Sequence, residues 1–246
     1  MSLDDEREAH ATVTELLAVF ARTPVLGKVK TRLSPPLTAE QALALHRALV
    51  EDTLDHLSRI QRPGIERLLL MSETLDDPSV LNVPGNWTTT VQASGDLGER
   101  LASLFYMGFR RGVTRLVVLG SDSPTVPSEV IHEAFDDLEH RKVVVGPAED
   151  GGYYLLGCSE WIPELFQSID WGTPAVLEQT MSVVRAKDLS VSQLIRWYDI
   201  DRSEDLEKLR QEIAFMKRSN PDLVPIRVAA ALPDFTDAEY SLDPDF

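Results

Sequence analysis

The chain has 246 residues, which suits one large α/β domain or two small ones and can bury a core without covalent staples. A net charge of −16 argues against general nucleic-acid binding and makes any local excess of cations informative. The one cysteine, Cys158, excludes an internal disulfide and a multi-cysteine zinc site, no apolar run approaches the ~20 residues of a membrane span, and the polar start MSLDDEREAH is not a signal peptide, so a cytoplasmic protein is expected.

Residues 1–12 read as a loose, charged arm. Residues 16–20 (LLAVF) form a compact apolar run and the first predicted strand. A loop follows, ARTPVLGKVKTRLSPPL, punctuated by Pro, Gly and Ser. Residues 38–57 show helical periodicity, with Thr38 and Gln41 spaced as a capping box. Residues 65–71 (IERLLLM) and 88–93 (TTTVQA) are the second and third predicted strands. Asp96 opens a helix that ends near Gly112. Residues 115–120 form a buried strand without polar alternation, as in a parallel sheet covered on both faces. Pro127 starts a helix to about His140, and residues 142–146 (KVVVG) and 152–157 (GYYLLG) are strands. A helix from Thr173-Pro174 reaches about Lys187, residues 191–197 alternate as a strand, and Ser203 is expected to cap a last helix to about Lys217. Residues 220–246 carry prolines at 221, 225, 233 and 244 and six acids against one arginine, and read as an extended tail.

Strand and helix alternate along the whole chain, so the expected fold is a three-layer α/β sandwich with a mostly parallel central sheet. One domain should span residues 13–219. In such sheets ligands bind at the carboxyl ends of the strands. Five stretches fall there or at helix starts. Arg22, Lys28, Lys30 and Arg32 lie within eleven residues with no acid among them, accompanied by Gly27 and Thr31, and either call for an anion such as a polyphosphate or form a solvated basic loop that balances acids elsewhere. Neither GxxxxGK[ST] nor GxGxxG is present. Asp122, in Ser121-Asp122-Ser123-Pro124, can anchor a hard divalent cation or simply cap a turn. Glu149-Asp150-Gly151-Gly152-Tyr153 can approach a ligand or form a glycine turn. Asp199 and Asp201 point to one side of an extended segment, where one of them could complete a metal shell or cap the next helix. Gly95 and Arg100 can meet a base or ribose edge, or serve a helix cap. The five histidines sit in the arm or on helix patterns and offer no triad, and His46 reads as a helix-face residue.

FARTPVLGKVKTRLSPPLT, GDLGERL, LGSDSPTVP, GPAEDGGYYLLG, IDWGTPAVLEQT and YDIDRSEDL occur in this order and together resemble the glycosyltransferase-like DUF2064 family of the GT-A nucleotide-diphospho-sugar transferase superfamily. VKTRLSPPLTAEQALALHRALVEDTL also resembles the opening of 2-phospho-L-lactate guanylyltransferases. The resemblance implies phosphate binding by Lys28, Lys30 and Arg32, with Lys30, Arg32 and Asp122 catalytic. It implies Mg²⁺ or Mn²⁺ on Asp122 and Asp201, and an acceptor loop at Asp150, Gly151, Gly152 and Tyr153. Arg22, Gly27, Thr31, Gly95 and Arg100 complete the nucleotide side. Ser123 stands where relatives often have Cys, and neither a GxGxR loop nor a full DxD is present. The implied activity is a transferase, moving a nucleotide monophosphate from a nucleoside triphosphate to a phosphorylated small acceptor. A glycosyltransferase using a nucleotide sugar and a non-catalytic nucleotide-binding regulator are the alternatives. Partners are the nucleotide and the small acceptor, with no nucleic acid or membrane and a homodimer left open.

Overall fold

The computed structural model describes residues 15–233. Seven strands form one sheet in the order β3-β2-β1-β4-β6-β5-β7. They are β1 Glu15–Ala21, β2 Ile65–Met71, β3 Thr88–Val91, β4 Arg115–Gly120, β5 Val143–Pro147, β6 Tyr153–Cys158 and β7 Val191–Gln193. β1 pairs in parallel with both β2 and β4, β2 with β3, and β5 with β7. β6 runs antiparallel to both of its neighbours. The sheet is therefore mostly parallel.

The helices are α1 Ala39–Ser58, α2 Leu97–Arg110, α3 Ser128–Asp137, α4 Val176–Ala186, α5 Ser203–Ser219 and α6 Ile226–Ala231. Strand side chains alternate between the faces. Leu17 and Val19 of β1 pack with Val50 and Leu54 of α1 and Ile131 and Phe135 of α3. Leu16 and Ala18 pack the other way, with Leu101, Leu104 and Phe105 of α2 and Val184 of α4. The layers are thus helix, sheet, helix. A third cluster joins α1 to α5 and α6 through Leu45, Leu49, Leu209, Ile213 and Val228.

Local chemistry sets the helix starts. Thr38 and Gln41 form the expected capping box on α1, and Asp96 and Glu99 form one on α2. Ser203 does not cap α5. The N-cap is Arg202, and the Asp205 carboxylate accepts the amides of Asp201 and Arg202 at 2.9 and 2.7 Å. A carboxylate that accepts two orphan amides outcompetes a hydroxyl.

The extended-tail expectation fails for residues 220–233. Pro221–Leu223 forms a 3-10 turn, and α6 docks on α1. Val228 is fully buried, and the Arg227 guanidinium meets Glu51, Asp52 and Asp55 at 3.1, 2.9 and 2.5 Å. Apolar burial and a triply paired arginine outweigh the proline-rich composition. Residues 1–12 and 234–246 lie outside the described residues.

Candidate functional site

The carboxyl edge of the parallel strands opens into a cleft of about 830 Å³. Its floor is assembled strand by strand. Arg22 follows β1, Ser72 follows β2, Gln92 follows β3, Ser121 and Asp122 follow β4, and Asp150 follows β5. Gly152 and Tyr153 enter from the amino end of the antiparallel β6. Lys28, Lys30, Thr31, Arg32, Gly95, Arg100, Asp199 and Asp201 also line it.

The four cations divide into two pairs. Lys30 Nζ lies 2.8 Å from Asp122 Oδ1 and donates to the Ile200 carbonyl at 2.5 Å. Arg32 meets Asp201 Oδ2 at 2.7 Å, with both side chains largely in solvent. Arg22 and Lys28 are exposed and have no ion-pair partner among the described residues. The sequence view of four unpaired cations is therefore corrected to two. The acids that pair the others lie far along the chain, Asp122 after β4 for Lys30 and Asp201, 169 positions on, for Arg32.

The carboxylates divide as well. Burial pushes the Asp122 carboxyl up, but Lys30, then His46 and Arg22, hold it below its ordinary value. Asp122 is ionised at neutral pH. Asp199 behaves in the opposite way. Burial, followed by the charges of Asp122 and Asp150, pushes it up to about 6, against a hydrogen bond from Ser123 Oγ at 2.5 Å and the charge of Lys30. The Ile200 amide donates to the Asp122 carbonyl at 2.9 Å and ties the two acidic segments together. Asp199 is thus the acid electrostatically coupled to Asp122, whereas Asp201 is occupied by Arg32. The YDID pattern contains both residues, and their spacing alone does not distinguish them.

The remaining residues take more structural parts. Gly27, at φ 73, shapes the turn in which the Lys28 amide donates to Val25, but does not line the cleft. Thr31 opens a 3-10 turn. Arg100 is pinned by the Gly95 carbonyl at 2.9 Å and Gln92 Oε1 at 3.1 Å. Asp150 accepts the Gly152 amide at 2.9 Å, so it forms the local turn as well as facing the cleft. Gly151 lies outside the lining, at φ 90. A Cβ there would sit 2.3 Å from the Pro174 carbonyl, so only glycine lets the loop pass. The Tyr153 hydroxyl is buried and its pKa is pushed up by burial. The phenol therefore stays protonated. Its ring stands edge-on to Trp171, 6.3 Å between centroids.

His46 was read as a helix-face residue and is a buried one. Its Nε2–H donates to the Arg22 carbonyl at 2.9 Å, and burial, foremost, lowers its pKa. The signal was present: position 46 falls on the buried stripe with Ala42, Leu49 and Val50. Ser72, Gln92 and Trp171 were also missed. Ser72 stands directly after a predicted strand, the placement that singled out Asp122, whereas Gln92 falls inside the predicted third strand and reaches the edge because β3 ends at Val91.

Among the described residues no group of three or more His, Cys, Asp or Glu side chains is placed to hold a metal. Asp122 and Asp199 supply a pair of hard oxygen donors opposite two unpaired cations. Mg²⁺ typically uses one or two carboxylates and takes its remaining ligands from water and substrate phosphate. The pair fits that demand, provided phosphate is present.

The family model described as "uncharacterized protein conserved in bacteria (DUF2064)" matches residues 53–173. The chain is 27% identical over 146 residues to 2-phospho-L-lactate guanylyltransferase of Methanobrevibacter ruminantium, covering 56% of this chain and 62% of that protein. It therefore spans less than two thirds of that relative's length. A Desulfovibrio desulfuricans crystal structure, provisionally described as a nucleotide-diphospho-sugar transferase, superposes with a TM-score of 0.75 at 30% identity, covering 89% of this chain and 96% of that one. The 4-diphosphocytidyl-2C-methyl-D-erythritol synthase of Anaerococcus prevotii superposes with a TM-score of 0.52 at 13% identity, over 78% of this chain and 92% of that one, and shares the fold.

Proposed function

The chain belongs to the DUF2064 family, and from that premise we propose that it is a magnesium-dependent nucleotidyltransferase. On this reading it moves a nucleotide monophosphate from a nucleoside triphosphate to a phosphorylated small acceptor and releases pyrophosphate. The observation that carries the reading is one cleft in which the unpaired cations Arg22 and Lys28 face the carboxylates Asp122 and Asp199. Its volume of about 830 Å³ is ample for a nucleotide and a small acceptor. The guanylyltransferase relative supports the reaction class, and the D. desulfuricans structure supports the nucleotide.

Arg22 and Lys28 would hold the β- and γ-phosphates through charge-assisted hydrogen bonds. Asp122 and Asp199 would hold Mg²⁺, which neutralises charge on the transferring and leaving phosphates when bound. The acceptor would enter along Asp150, Gly152 and Tyr153, on the far side of the carboxylates from β2 and β3. An acceptor phosphate oxygen then bonds to the α-phosphorus as the bond to the bridging oxygen breaks, and pyrophosphate leaves with both electrons of that bond. The protein's part is positioning and charge compensation, with no covalent enzyme adduct.

The test is pyrophosphate release from each nucleoside triphosphate with Mg²⁺ and a panel of phosphorylated acceptors. No release with any combination refutes nucleotidyl transfer. The description of the D. desulfuricans relative favours a second reading, transfer from a nucleotide sugar. Under it, nucleotide-sugar turnover appears in place of pyrophosphate. Nucleotide-induced thermal stabilisation without either turnover points to a binding protein.

A further inference from the structure

Lys30 departs from the rest of its loop. Arg22 and Lys28 reach into the open cleft, but the Lys30 side chain is only 5% exposed. Its ammonium lies between the two acidic segments, 2.8 Å from Asp122 and 2.5 Å from the Ile200 carbonyl. The backbone at Lys30 is left-handed, φ 50 and ψ 34, a region that disfavours residues bearing a Cβ. A lysine serving only a phosphate at the cleft mouth needs neither this burial nor this conformation. The ammonium stands where a cation bound to Asp122 would stand.

We propose that Lys30 is the resident cation of the Asp122–Asp199 pair, and that a polyphosphate draws its ammonium away so that a divalent metal gains the carboxylates only together with nucleotide. The charges require such an exchange. Two carboxylates and one ammonium sum to −1, a weak attractor for a divalent ion that must also approach an ammonium. With the ammonium withdrawn the pair carries −2 and matches the metal. A nucleotide's phosphates offer the displaced ammonium a new partner. Lysine suits this part, because it is a compact charge on a flexible four-carbon stem that can swing without moving the backbone. The coupling is reciprocal: metal strengthens nucleotide binding by the factor by which nucleotide strengthens metal binding. This inference rests on the metal–nucleotide reading above and adds its order.

The probe is Mn²⁺, followed by electron paramagnetic resonance without nucleotide. Lys30→Met should bind Mn²⁺ at least tenfold more tightly than the wild-type protein, and adding Asp122→Asn to Lys30→Met should remove the gain. Equal Mn²⁺ affinity in wild type and Lys30→Met overturns the inference. Wild-type protein is also titrated with Mn²⁺ and a non-hydrolysable triphosphate analogue. If that complex forms while Lys30→Met shows no gain, the inference fails and the functional reading stands; if it never forms, both fail. A second measurement uses wild-type protein alone and so survives any folding defect of the variant. The Lys30 ammonium protons should be protected from exchange in ¹⁵N NMR of the free protein and should shift on adding magnesium pyrophosphate. An unprotected or unresponsive signal also overturns the inference.

Discussion

Removing the Asp199 charge should stabilise this protein. The Asp199 carboxyl is pushed up to about 6 from an ordinary value of 3.8, by burial first and then by the charges of Asp122 and Asp150. A folded-state pKa above the unfolded one means that the folded protein holds this proton more tightly. The stability associated with it is present in full below about 4 and is lost as pH rises through about 6. A shift of about two units corresponds to roughly 3 kcal/mol at neutral pH. Asp199→Asn keeps an acceptor for Ser123 Oγ and removes the repulsion. Without metal at pH 8 it should therefore melt above the wild type by roughly 6–12 °C, at 2–4 °C per kcal/mol for a chain of this size. At pH 4 the wild-type carboxyl is protonated and the two proteins should melt together. Differential scanning calorimetry at the two pH values decides the matter. A gap of the same size at both would refute the electrostatic reasoning, because an uncharged packing effect does not follow the proton. The same variant should lose Mg²⁺-dependent nucleotide binding, so stability and function move in opposite directions at one residue.

Asp122→Asn should act in the other direction on stability. It leaves the nearly buried Lys30 ammonium without its carboxylate and should cost roughly 1.5–3 kcal/mol by thermal melting, while calorimetric titration finds no Mg²⁺-dependent nucleotide binding. Arg227→Ala strips the ion-pair partner from Asp52, whose side chain is only 4% exposed and keeps only the Val228 amide at 2.8 Å. The cost should fall near 3 kcal/mol, the low end for a broken buried pair, because Arg227 itself is 30% exposed; amide exchange should show α6 opening ahead of the sheet. Gly98→Ala puts a methyl 2.1 Å from Trp171 Nε1 and should displace that indole from the cleft wall, changing the near-ultraviolet circular dichroism at a cost of about 1–3 kcal/mol.

Much of the architecture was legible because its determinants are local. Continuous apolar runs marked β1, β2, β4 and β5, and capping residues marked the starts of α1 and α2. Parallel strands put the segments that follow them on one edge, so the sequence alone places Arg22, Lys30, Asp122 and Asp150 together. The tail was misread for the same reason. Its composition is that of an extended chain, and only docking against α1 gives Val228 and Arg227 their partners.

The sequence alone determined which residue types gather at that edge, because a strand's carboxyl end is a local property. Only the tertiary structure decided how they pair. The partnerships of Lys30 with Asp122 and of Arg32 with Asp201 join points far apart in the chain. So does the coupling that makes Asp199, rather than Asp201, the companion of Asp122. An ion pair depends on a few ångströms and on burial, and no periodicity in a sequence encodes either across separations that reach 169 residues between Arg32 and Asp201.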